Sequence, residues 1–137
     1  MNFEKLLDLR NRGFAKELGL VITKLETGFA RGELILQERH KNPIGVIHGG
    51  VIFTLADTIG GTAANSRGRW STTVSGNINY VSPALNCEKL IGETREVKVG
   101  KNICVYEVVI SNELGKTIAT STMTYFYFED GKFPSLT

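Results

Sequence analysis

Asp57 is an acid set inside an apolar stretch, VIHGGVIFTLADTIGGTAAN, that runs from Val46 to Asn65. Val51, Leu55 and Ile59 recur four apart, while Ile52, Ala56, Gly60 and Ala63 fill a second side. That pattern reads as a helix buried around most of its circumference. A carboxylate buried without a partner is costly, and the local polar company of Asp57 is only Thr54, Thr58 and Gly61. Two readings stand: an acid kept for function, and an ordinary acid on a solvent-facing or backbone-bonded side of the helix.

His48-Gly49-Gly50 lies where a loop enters this helix, nine residues ahead of Asp57 from His48. Backbone N–H groups there have no intrahelical acceptor, glycine admits a ligand close to them, and the helix dipole favours negative charge. The carbonyl oxygen of an ester or thioester, becoming an oxyanion, is one such charge. The alternative is turn chemistry, with His48 as a local cap. A third feature is the polar stripe Ser75, Asn77 and Asn79, which also reads as a solvated strand face. Arg67, Arg69, Arg95, Lys98 and Lys101 could meet phosphates, but interleaved Glu93 and Glu96 make an ordinary charged surface the plainer reading. Phe53, Ile59 and Trp70 are candidates to line a pocket.

The elements that must position these groups are legible in outline. Phe3, Leu6, Leu7 and Leu9 fall near helical spacing, predicting a short amphipathic helix over about 3–12. Alternation from Leu18 to Ile22, a Thr27-Gly28 turn and a second run over Phe29–Gln37 predict a hairpin. Asn42-Pro43-Ile44-Gly45 breaks the chain ahead of the buried helix. Strands are expected over 70–81, 88–99, 102–112 and 116–128. In the first, Trp70, Val74, Ile78 and Tyr80 would share one face and Ser71, Thr73, Ser75, Asn77 and Asn79 the other. Their short turns require antiparallel pairing. The small Gly60-Gly61 pair suggests that another backbone presses on the helix. The expected class is α+β: an antiparallel sheet of five or six strands wrapped around one long helix, about 48–65. One domain over 1–137 fits this length.

Composition excludes several functions. With 42% hydrophobic and 22% charged residues, the chain is neither disordered nor fibrous. A net charge of +2 without a basic block gives no argument for nucleic acid. Two cysteines, Cys87 and Cys104, and two histidines, His40 and His48, lack the paired spacings of a structural zinc site. No metal or cofactor is expected. There is no P-loop, no dinucleotide fingerprint and no nucleophile elbow. Signal-peptide, lipidation and membrane-spanning patterns are absent, so a cytoplasmic location is expected. Fifteen glycines in 137 residues exceed the usual ~7%.

The run Asn42-x5-His48-Gly49-Gly50-x6-Asp57, with Ser75 eighteen residues after Asp57, resembles the hotdog-fold acyl-CoA thioesterases, in their PaaI-like branch. The likeness spans about 18–126 and includes NINYVSP at 77–83 and the Val99-Gly100-Lys101 turn. It implies hydrolysis of an acyl-CoA, aryl-acetyl, aromatic or short to medium in chain, without a metal. Gly49 N–H would polarise the thioester carbonyl, Asn42 would hold the carbonyl or the water, and His48 would fix the loop. Asp57 would act as general base or nucleophile, with Ser75 bonded to the water or the carboxylate. Gly50, Asn77, Lys101 and Arg67 are the candidate substrate and CoA contacts. The resemblance further implies a homodimer with sites shared between subunits, and pairing of dimers into tetramers. The reading from a different class is a non-catalytic acyl-CoA-binding module.

Overall fold

The apolar stretch after His48 does form a helix, and a six-stranded sheet curls around it. In the computed structural model, which describes residues 1–137, the order is α1 (Phe3–Arg10), α2 (Phe14–Leu18), β1 (Leu20–Glu26), β2 (Phe29–Ile35), α3 (Gly49–Asn65), β3 (Ser71–Tyr80), β4 (Lys89–Val99), β5 (Ile103–Asn112) and β6 (Thr117–Tyr127). The strands lie in the order β1-β2-β4-β5-β6-β3, antiparallel throughout. The long helix begins one residue later than expected because His48 is its N-cap.

The N-terminal helix stops at Arg10, short of the expected 12. Asn11 leaves the helix and uses its side chain on β1, its Oδ1 accepting from Ile22 N at 2.8 Å. Gly13 then takes a positive φ of 70° and opens α2. Leu18, expected in the first strand, ends that helix, which Gly19 closes at φ 98°.

Leu55, Ala56, Ile59, Ala63 and Ala64 of α3 are fully buried, facing Leu34, Leu90, Val108, Ile110 and Met123 of the sheet. Ile59 is keyed most closely. A Cβ on Gly32 of β2 would stand 2.9 Å from its side chain, and one on Gly92 of β4 would be closer still. These two glycines form a notch that Ile59 fills, so Ile59 belongs to the core and not to a pocket wall. Gly60 and Gly61 do accommodate a close approach, but by side chains and not by a backbone. The Tyr125 hydroxyl occupies the space of a Cβ at Gly60, and Arg10 Nη2 lies 3.0 Å from where one would sit at Gly61.

Strand β3 departs from its predicted alternation. Thr73 pairs with Tyr125 and Ser75 with Thr124, so Val74 is an extra residue bulged out of the ladder. Before the bulge, Ser71 and Thr73 turn toward α3, where Asn65 Nδ2 donates to Ser71 Oγ. After it, Gly76 meets Phe53 and Met123, Ile78 packs on the core, and Tyr80 reaches the start of α3. Ser75, Asn77 and Asn79 consequently lie exposed on the opposite face. The five-residue polar stripe is split between the two faces. β3 bonds only to β6 and leaves its other edge open.

Candidate active site

The loop before α3 is built to hold its first turn. Asn42 Oδ1 accepts from the amides of Ile44 and Val46, each at 3.1 Å, which leaves its Nδ2 free to donate outward. The buried His40 ring joins two segments: Nδ1 accepts from Gln37 N at 3.0 Å, and Nε2 donates to Leu18 O at 2.7 Å. His40 O in turn accepts from His48 N at 2.8 Å.

The amides of the first helical turn can then be followed one by one. Gly50 N donates to His48 Nδ1 at 2.8 Å, and the amides of Val51 and Ile52 donate to His48 O. Gly49 N–H alone has no partner, at the positive end of a 17-residue helix. Gly50, whose amide is spent on the cap, offers no such donor. The Tyr80 hydroxyl donates to Gly49 O at 2.9 Å, and its ring stands 3.3 Å from the place a Gly49 Cβ would take. Burial pushes the Tyr80 phenol up, so it remains a donor. Gly49 and Tyr80 share a cavity of about 350 Å³ with Val46, Ile52 and Pro83.

Asp57 sits elsewhere. Eight residues separate it from Gly49, about 12 Å along the helix axis. Its half-buried carboxylate opens on a different cavity, of about 180 Å³, with Thr73, Tyr125 and Arg10 in the wall. Thr73 Oγ1 donates to Asp57 Oδ1 at 2.7 Å. The Tyr125 hydroxyl donates to the Asp57 backbone carbonyl at 3.0 Å. Burial, then the nearby Asp57 charge, pushes the Tyr125 phenol well above its ordinary value and keeps it protonated.

The structure thus gathers Asn42, His48, Gly49 and Gly50 at one end of α3 and places Asp57 apart from them. Ser75 does not reach Asp57; the bulge gives that contact to Thr73. Asn77 is exposed beside Ser75 on the outer face. Arg67 is committed to an internal pair, its Nη2 donating to Glu96 Oε1 at 2.7 Å while the Tyr106 hydroxyl donates to Glu96 Oε2 at 2.7 Å. Lys101 extends an exposed side chain, and its carbonyl accepts from Arg69 Nη1. Cys87 and Cys104 are free thiols, and no three His, Cys, Asp or Glu side chains cluster as a metal site. No helix is long and apolar enough to cross a membrane. Thr73, Tyr80, Tyr125, Arg10 and His40 are missing from the sequence-based site. The Gly60-Gly61 pair signalled two of them, Tyr125 and Arg10, by marking where something must come close.

Residues 44–119 match the family model described as "Thioesterase superfamily". The chain belongs to the thioesterase superfamily. Among its superfamily relatives is acyl-coenzyme A thioesterase 13 of Homo sapiens, 33% identical over 117 residues that span 82% of this chain and 84% of that protein. The thioesterase fold superposes on the PaaI protein of the E. coli phenylacetic acid degradation operon with a TM-score of 0.84. The two are 28% identical, over 89% of this chain and 88% of that one. A Streptococcus mutans protein solved bound to acetyl CoA gives a TM-score of 0.76 at 29% identity, over 80% and 88% of the two chains. The chain has the hotdog fold, six antiparallel strands around one helix, and it is this fold that superposes on both solved structures.

Proposed function

We propose that this chain hydrolyses acyl-CoA thioesters, with Asp57 activating water and Gly49 N–H receiving the oxyanion in a site completed by a second copy of the chain. The observation that carries this reading is the separation of the two groups. One chain holds an unpaired helix N-terminal amide and a positioned carboxylate, but in different cavities about 12 Å apart along α3. Antiparallel pairing of two open β3 edges would set two α3 helices antiparallel, with Gly49 of one toward Asp57 of the other. Superfamily relatives named as acyl-CoA thioesterases, and one solved with acetyl CoA, support the substrate class.

In this reaction the Asp57 carboxylate takes a proton from water as the oxygen attacks the thioester carbon. The carbonyl electrons move onto oxygen, where the Gly49 amide of the other copy stabilises them, with Asn42 Nδ2 as a second donor. The intermediate collapses by breaking the C–S bond, and the CoA thiolate leaves and takes up the proton held by Asp57, giving free CoA and a carboxylic acid and restoring the Asp57 carboxylate. No metal is required, because a thiolate is already a good leaving group. Lys101, exposed and unpaired, is the basic candidate proposed for the CoA phosphates in place of Arg67, which is committed to Glu96; dimers paired into tetramers and a cytoplasmic location complete the proposal.

The test is thiol release from acetyl-, hexanoyl- and phenylacetyl-CoA by the parent and by Asp57→Asn. Turnover by the parent, lost at least a hundredfold in a folded variant, is the expected result. Saturable binding without thiol release by the parent would identify a non-catalytic acyl-CoA-binding module instead. Single-turnover hydrolysis in heavy-oxygen water tests for the nucleophile, since label enters Asp57 only from an anhydride that water opens at the Asp57 carbonyl.

A further inference from the structure

Two cavities meet at Arg10, the last residue of α1. One is the Asp57 cavity of about 180 Å³, walled by hydroxyl-bearing Thr58, Ser71, Thr72, Thr73 and Tyr125. The other, of about 250 Å³, is lined by Leu9, Phe14, Ala15 and Trp70, and the indole N–H of Trp70 is spent on Pro134 O. Arg10 and Thr58 line both, so they form the partition between a polar chamber and an apolar one. The partition is held at both ends. Arg10 Nη2 donates to Thr58 O at 2.9 Å, and its Nε donates to Thr62 Oγ1 at 2.9 Å. Gly61 admits the guanidinium close to α3, since a Cβ there would stand 3.0 Å from Nη2. The next residue, Asn11, clasps β1, its Oδ1 accepting from Ile22 N at 2.8 Å.

We propose that Arg10 is a gate for acyl length, confining the substrate to short acyl groups that fit the Asp57 chamber. The inference rests on Asp57 acting at the thioester carbon, as proposed above, which sets the start of the acyl group beside Asp57. The CoA arm carries phosphates and needs free cations. The two cations at these chambers are spent, Arg10 on α3 and Arg12 on Asp8. The chambers therefore suit the acyl arm. At about 30 Å³ per water-sized group, the Asp57 chamber holds about six such groups. Its hydroxyl walls reward a long alkyl chain little, because methylenes gain by leaving water for apolar surroundings. A longer chain finds those surroundings only past the partition, at Leu9, Phe14 and Trp70. To reach them it must push the guanidinium off Thr58 and Thr62, and each bond broken there counts against long substrates alone. The helix backbone itself does not depend on the gate, since Thr62 Oγ1 also donates to Thr58 O at 2.7 Å.

The experiment measures kcat/KM by thiol release from butanoyl-, hexanoyl-, octanoyl- and decanoyl-CoA. In the parent, decanoyl-CoA should fall about tenfold or more below hexanoyl-CoA. Arg10→Ala joins the chambers, so its decanoyl-to-hexanoyl ratio should rise about tenfold or more. Adding Phe14→Asp to Arg10→Ala puts a charge on an exposed wall of the second chamber and should cancel that rise. An equal loss at every chain length in Arg10→Ala, with the ratio unmoved, would reduce Arg10 to packing and overturn the proposal. So would a parent that takes decanoyl-CoA as well as hexanoyl-CoA, or a rise that persists in the double variant. Should Arg10→Ala fail to fold, Arg10→Gln replaces it: it is shorter, keeps an amide donor, and must raise the same ratio or overturn the gate. Asp57→Asn is run alongside. Its full activity, or no thiol release by the parent from any chain, would remove the reading that sets the acyl group here and the gate with it. An inactive Asp57→Asn beside an unmoved Arg10→Ala ratio rejects the gate only.

Discussion

Thr73 Oγ1 donates to Asp57 Oδ1 at 2.7 Å, tying the edge strand to the middle of the central helix. The contact fixes which carboxylate oxygen is occupied and leaves Oδ2 for water. A hydrogen bond to a charged group contributes about 1.5–3 kcal/mol. Thr73→Val should accordingly lower kcat by about tenfold to a hundredfold. Ser75→Ala, on the opposite face, should cost less than Thr73→Val in the same steady-state assay. The reverse order would return the role to Ser75.

Complementation checks the division of labour along α3. Gly49→Pro removes the unpaired amide while suiting the first helical position, and His48 at φ −59° and ψ 135° already has a backbone that tolerates a following proline. The Tyr80 ring must give by a few tenths of an ångström. Alone, this variant should lose about two to three orders of magnitude in rate. Mixed one to one with Asp57→Asn and allowed to exchange subunits, it should recover about a quarter of parental activity, because half the dimers are mixed and each holds one intact site. No recovery after verified exchange would place both groups of a working site in one chain.

Gly60→Ala probes the opening in the helix. Alanine gains helix propensity, about 1 kcal/mol, yet its methyl falls on the Tyr125 hydroxyl. A net destabilisation of about 1–3 kcal/mol is expected from the urea midpoint. Tyr125→Phe in the same chain should return part of it by removing the colliding oxygen. A Gly60→Ala protein more stable than the parent would show that the hydroxyl moves aside freely.

Stability in acid should report Glu96. Its burial raises the carboxyl pKa, but the bonds from Arg67 and Tyr106 outweigh that effect and leave it below the ordinary value. A depressed folded-state pKa contributes stability that is complete above the unfolded value of about 4.3 and is lost as pH falls through the folded one. Thermal midpoints of Glu96→Gln should therefore lie below those of the parent near neutral pH and fall less steeply between about pH 5 and 3. Equal slopes for the two proteins would mean that another carboxylate governs that window.

The strongly periodic features were legible in the sequence. Repetition of Val51, Leu55 and Ile59 specified the helix, and His48-Gly49-Gly50 marked its N-terminus, because local spacing and cap chemistry decide both. Thr73 was not legible. Its position depends on whether the bulge falls before or after it, and the ladder with β6 sets that register. Arg10 and Tyr125 come from elements 47 and 68 residues away from Asp57, too far for any local pattern to show. Leu18 misled because apolar alternation into β1 looks the same whether or not a short helix precedes it. The glycine pair showed a close approach but not the identity of the approaching group.

The notch formed by Gly32 and Gly92 has a further consequence for aim. Ile59 follows Asp57 by two residues, about 200° around the helix, so the two side chains point nearly opposite ways. With Ile59 seated between β2 and β4, α3 can neither roll nor slide without dragging a branched side chain over the sheet backbone. Its azimuth is locked from behind, as a bolt is held by its key. Filling the notch from the sheet side, as Gly92→Ala would, forces the Ile59 and Ile110 side chains to shift and so disturbs that hold without altering a single residue of the site.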